Sequence, residues 1–188
     1  MSNILIISGH PDLQTSIANA TILDEVSKTF HDLANVQIRK LDELYPNWQI
    51  DVSAEQNALL WADVIVWQFP FSWYSVPALL KKWLDEVFLY HFSHGSQAKL
   101  GGKKLLVSFT TGADETMYQK DGFMGYTIDE LTPQFEITAK LCGMQWLSPI
   151  YTCGLSYASR DDEAKINAQK TLAKDHAKRL IDTLKPFV

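Results

Sequence analysis

The chain has 188 residues, 46% of them hydrophobic and 21% charged, with a net charge of −5. These proportions fit a soluble globular chain long enough for a sizeable core, and one domain spanning residues 1–188 is the simplest division. They leave no basic stripe for a nucleic acid and no apolar run of membrane-spanning length.

Ile4 to Ile7 reads as a buried first strand. Ser8 to Ser16 is polar loop, and a helix is expected from about Ser16, a plausible N-cap, with Ile17, Ala20, Leu23 and Val26 facing inward. Alternation over Val36–Leu41 predicts a second strand, and Asp42–Asp51 reads as loop. Ser53-Ala-Glu-Gln56 has the form of a capping box opening a helix that ends near Trp61. Asp63–Phe69 predicts a third strand, broken at Pro70. A helix restarts at Pro77, with Leu79, Leu80, Trp83, Leu84, Val87 and Phe88 on one apolar face. Beyond a loop at His91–Gly102, Lys103–Phe109 predicts a fourth strand and Thr110–Tyr126 a long loop. Thr127-Ile-Asp-Glu130 opens a helix to about Leu141, closed by Gly143. Met144–Thr152, interrupted by Pro149, predicts a fifth strand, and Asp161–Leu184 a terminal helix. The alternation predicts an α/β fold: a doubly wound five-stranded parallel sheet in the flavodoxin-like order 2-1-3-4-5, with helices on both faces.

In that topology the loops after the first, third and fourth strands meet at one edge of the sheet, where such folds bind ligands. The first offers His10, Thr15, Ser16 and Asn19 at a helix start, which can hold phosphate without a basic side chain. Taken alone, Ser16 reads as a cap and His10 as a loop residue. GxGxxG and GK[ST] are both absent, so neither a dinucleotide fingerprint nor a P-loop is present. The second loop carries Pro70, Phe71, Ser72, Trp73 and Tyr74; three rings in one strand-to-helix break suit a flat apolar ligand. The third, Thr110-Thr-Gly112-Ala113, offers backbone N–H groups that can hold a developing anion. No metal-ligand pattern is evident. Cys142 and Cys153 form no CxxC pair, so a reducing, cytoplasmic setting is expected, and Met1–Ser8 is too short and uncharged for an export signal.

Gln68-Phe-Pro-Phe-Ser-Trp-Tyr-Ser-Val-Pro-Ala-Leu-Leu-Lys-Lys-Trp-Leu-Asp-Glu-Val-Phe88 and Thr110-Thr-Gly-Ala-Asp-Glu-Thr-Met-Tyr118 resemble the signature of the flavodoxin-like NAD(P)H:quinone oxidoreductases. His10-Pro11, Ser16, Asn19, Asp51 and Leu147-Ser-Pro149 resemble the bacterial branch, which includes the oxidoreductase subunits regulating glutathione-gated potassium efflux. The resemblance implies a dimer with each site at the subunit interface. Carried over, His10, Ser16, Ile17, Ala18 and Asn19 surround a flavin phosphate. Pro70, Phe71, Ser72, Trp73 and Tyr74 line the isoalloxazine and ribityl, and Thr110, Thr111, Gly112 and Ala113 meet the ring's pyrimidine edge. Tyr118 is the implied catalytic residue, settling charge during hydride transfer; Met124 stands where animal members have its histidine partner, so no Tyr–His relay is implied. The family has glycine where this chain has Ala113.

The implied chemistry is two-electron and ping-pong: NADH or NADPH gives a hydride to flavin N5, leaves, and a quinone then takes it. FMN is expected rather than FAD, since no element for an adenosine half is evident, although similarly short relatives hold FAD. Three alternatives stand beside this reading: a regulatory subunit docked on the inner face of a membrane antiporter, a one-electron flavodoxin-type carrier, and a flavin-free scaffold.

Overall fold

The structure, a computed structural model, describes residues 1–158 and 162–188. Among the described residues six parallel strands form one sheet: β1 (Ile4–Ser8), β2 (Val36–Lys40), β3 (Val64–Pro70), β4 (Lys104–Thr110), β5 (Gln145–Trp146) and β6 (Ile150–Thr152). Their order is β2-β1-β3-β4-β5, with β6 also paired to β4, so the expected 2-1-3-4-5 order holds. The expected fifth strand is two. Pro149 has no N–H to give to a ladder, so β5 pairs with the start of β4 and β6 with Ser108–Thr110 at its end.

Seven α-helices connect and cover these strands among the described residues: α1 (Ala18–Phe30), α2 (Leu41–Leu44), α3 (Val52–Trp61), α4 (Ala78–Val87), α5 (Ile128–Leu131), α6 (Pro133–Leu141) and α7 (Glu163–Leu184). Ser16 caps α1 as expected, its hydroxyl accepting from the Asn19 N–H at 3.1 Å. Of the expected inner face, Leu23 and Val26 are buried and Ile17 and Ala20 are half-buried, while Ala18, Ile22 and Phe30 are buried beside them. Leu41, expected to end the second strand, and Asp42–Leu44, expected as loop, form the single-turn helix α2, anchored by fully buried Leu41. The cap of α3 is Asp51, accepting from the Ala54 N–H at 3.0 Å, and not Ser53; aspartate caps as well as serine and comes first. Pro77 lies just outside α4 with an extended ψ of 155°.

The helix expected from Thr127 to Leu141 is broken in two. The Thr127–Glu130 capping box is present, but Pro133 disfavours helical backbone at Thr132 (φ −118°, ψ 5°). Pro133 then opens α6, whose last turn closes with Gly143 at φ +66° and the Met144 N–H on the Ala139 carbonyl at 2.9 Å, a Schellman closure that wants glycine. Asp162 caps α7; the expected start at Asp161 lies outside the described residues.

The two faces of the sheet bury different side chains, as period-two alternation requires. Leu5, Ile7, Ile65, Trp67, Phe69, Leu105, Val107 and Phe109 pack with α3, α4 and α6. Ile4, Ile6, Val64, Val66 and Leu106 pack with α1 and α7. A polar clamp ties the first layer together. Fully buried Glu55 on α3 receives hydrogen bonds from Arg39 Nε (2.8 Å) and Nη2 (2.5 Å), Tyr45 (2.5 Å) and Trp83 Nε1 (2.8 Å).

Candidate functional site

The carboxyl ends of β1, β3, β4 and β6 surround a half-open cavity of about 400 Å³, within the range of small-molecule sites. The loop after β1 and the start of α1 contribute His10, Pro11, Ser16, Ile17, Ala18 and Asn19. The loop after β3 contributes Pro70, Phe71, Ser72 and Trp73, and β4 with its following turn contributes Thr110 and Gly112. Leu155, Tyr157 and Gln169 complete the wall.

The aromatic part of that wall is built on strained backbone. Ser72 to Ser75 is a tight turn, with the Ser75 N–H on the Ser72 carbonyl at 3.0 Å. Its two central residues, Trp73 and Tyr74, have φ of +50° and +63°, the sign pattern of a type I′ turn, which favours Asn-Gly. Two large rings in left-handed backbone cost on the order of 1–3 kcal/mol each, and such strain gathers at functional sites. Trp73 is 93% exposed. Phe71 is buried against Phe109, ring centroids 5.0 Å apart.

Backbone donors without a partner occur at two other points around the strand ends. Among the described residues the chain supplies no acceptor for the N–H groups of Ile17 and Ala18, at the start of α1, or of Gly112 and Ala113, after β4. A Cβ on Gly112 would meet nothing nearer than Ser156 Cα at 3.7 Å. The fold itself therefore tolerates a Cβ there. His10 Nδ1 accepts from the Asp12 N–H at 3.1 Å, which puts the proton of the neutral ring on Nε2.

Four expected residues do not line the cavity. Thr111 is buried, its N–H on the Thr152 carbonyl and its hydroxyl on the Ala113 carbonyl at 2.9 Å; Ala113 packs against the core. The Tyr74 hydroxyl meets the Met124 sulfur at 3.3 Å. Tyr118 is 5% exposed; burial raises its pKa, so the phenol stays protonated. Pro11, Leu155, Tyr157 and Gln169 were missed. The last three follow β6 and lie in no motif, but their place after a carboxyl strand end is a signal topology could have supplied.

A flavodoxin-like fold family profile matches residues 2–176. The glutathione-regulated potassium-efflux system ancillary protein KefF of Enterobacter sp. (strain 638) is 41% identical over 180 residues, 95% of this chain and 96% of its own. The solved structure of general stress protein 14 from Treponema denticola in complex with FMN superposes with a TM-score of 0.83 at 32% identity, covering 97% of this chain and 99% of that one. An NADPH-quinone reductase from P. pentosaceus superposes with a TM-score of 0.74 at 30% identity, covering 95% and 97%.

Proposed function

The chain belongs to the flavodoxin-like NAD(P)H:quinone oxidoreductase family, and from that premise we propose that it is a single-domain, FMN-dependent, two-electron NAD(P)H:quinone oxidoreductase. The observation that carries the reading is the cavity's make-up: a strained aromatic turn on one side and unspent backbone N–H groups at two other points. That donor set fits a flat ring with one anionic edge and a phosphate tail. The T. denticola relative binding FMN supports the same choice.

Bound FMN would supply the hydride-accepting and hydride-donating centre. The chain's own groups do the rest. The Ile17 and Ala18 N–H groups, at the positive end of α1, hold a phosphate without a cationic side chain. Phe71 and Trp73 exclude water from a ring face. The Gly112 and Ala113 N–H groups stabilise negative charge at a ring edge, which favours the two-electron reduced form. Tyr118 stands away from the wall, its phenol kept protonated by burial. In this reading NADH or NADPH and then a quinone occupy the open side in turn, and a homodimer completes that side.

Reconstitution tests it. The purified chain should turn yellow with FMN and oxidise NAD(P)H in the presence of a quinone. Trp73→Ala should weaken FMN binding about tenfold, losing roughly 1.4 kcal/mol of ring contact. A colourless parent that takes up neither FMN nor FAD ends the reading.

The similarity to KefF along almost the whole chain favours a second role, compatible with the first: a cytoplasmic subunit acting with a membrane antiporter. No helix among the described residues is long and apolar enough to cross a membrane, so membrane association in this role is through the partner. Copurification with the antiporter and a change in its gating test this role.

A further inference from the structure

The face of the sheet covered by α1 and α7 is aliphatic along Val64, Val66 and Leu106. At its carboxyl end the same alternation places Gln68 and Ser108, paired in register and both fully buried. Polar side chains there are costly unless every group is satisfied, and here they are satisfied in series. Arg179 Nη2 lies 2.6 Å from Thr152 Oγ1, which lies 2.8 Å from His176 Nδ1. His176 Nε2 lies 2.7 Å from Ser108 Oγ, which donates to Gln68 Oε1 at 2.5 Å. Gln68 Nε2 donates to Asn19 Oδ1 at 2.9 Å, and Asn19 Nδ2 to Thr110 Oγ1 at 3.1 Å.

The series has a direction. Ser108 gives its one proton to Gln68 Oε1, so toward His176 Nε2 it can only accept, and the Thr152 hydroxyl, which accepts from Arg179, gives its proton to His176 Nδ1. His176 is then the Nε2–H tautomer, donating to Ser108, whose own proton goes to Gln68. Both carboxamides are thereby oriented, and the second Asn19 amide proton and the Thr110 hydroxyl proton are left at two residues that line the cavity. Without the series each carboxamide could rotate by half a turn, and Asn19 would present an acceptor in place of a donor.

We infer that His176, on the helix remote from the aromatic turn, is a positioning residue: through Ser108 and Gln68 it fixes Asn19 and Thr110 as hydrogen-bond donors toward an acceptor-rich, anionic part of the ligand. This rests on the cavity being the FMN site. Burial, and then the Arg179 charge, lower the His176 pKa to about 3, so the ring stays neutral and the direction is kept at neutral pH.

The test uses the flavin-free protein titrated with FMN, and NMR of the Asn19 side-chain amide before FMN is added. Ser108→Ala and His176→Leu should each weaken FMN binding about tenfold and let the Asn19 amide protons exchange rapidly with solvent. His176→Gln, which keeps a donor where Nε2 stands, should restore binding to within about twofold. Unchanged FMN affinity and unchanged Asn19 exchange in Ser108→Ala overturn the inference. So does His176→Gln binding as weakly as His176→Leu, since the ring would then only fill space. If the parent binds no FMN while Ser108→Ala still frees the Asn19 amide, the relay stands and the cofactor reading fails.

Discussion

Glu55 has no exposed surface, and three different side chains converge on its carboxylate. Glu55→Gln removes the charge that offsets Arg39 and leaves donors competing for one carbonyl oxygen. Urea unfolding should show a loss of about 3 kcal/mol, the cost of leaving one member of a buried ion pair unmatched. His176 gives stability the opposite chemistry. Its folded pKa of about 3 lies below the ordinary 6.5, so the unfolded chain binds a proton that the folded chain refuses. Stability therefore falls as pH drops from 6.5 toward 3, by up to about 1.4 kcal/mol per unit from this group. The difference between the parent and His176→Gln, measured by unfolding from about pH 6 to pH 4, should grow in that sense. Neither residue was legible as special in the sequence. Glu55 sits within Ser53–Gln56, where capping chemistry explains it, and His176 lies in a charge-laced helix that reads as a solvated face.

The Ser72–Ser75 turn was recognised by its rings, but its handedness could not be read, because Trp and Tyr are poor signals for positive φ. Replacing Trp73-Tyr74 with Asn-Gly should relieve backbone strain and raise stability by about 1 kcal/mol or more, while weakening FMN binding at least tenfold. A thermal melt beside an FMN titration reads both. If stability falls, the turn is not strained in the way its φ values imply. Elsewhere the boundaries failed where two local preferences competed. Asp51 preceded Ser53 as a cap, and Pro133 overrode a good capping box two turns on. Pro149 was seen as an interruption, but two separate strands follow only from the pairing available along β4.

For the whole molecule, strand order came through because hydrophobic period and connection length leave few topologies once every crossover is right-handed. The convergence of His10–Asn19, Pro70–Trp73 and Thr110–Gly112 followed from that order. The part of the wall made by Leu155, Tyr157 and Gln169 did not, since no motif marks it. The two layers described above also differ in how they can be watched. Trp67 and Trp83 lie inside the layer built on α3, α4 and α6, Trp61 and Trp146 lean on it, and Trp48 and Trp73 are exposed. Among the described residues the α1–α7 layer holds no indole and no phenol. Intrinsic emission is consequently blind to one side of the sheet, whereas circular dichroism sees the helices on both. Should α1 and α7 peel away first under denaturant, ellipticity would drop while emission stayed native; overlapping curves would show that the dark side and the bright side let go together.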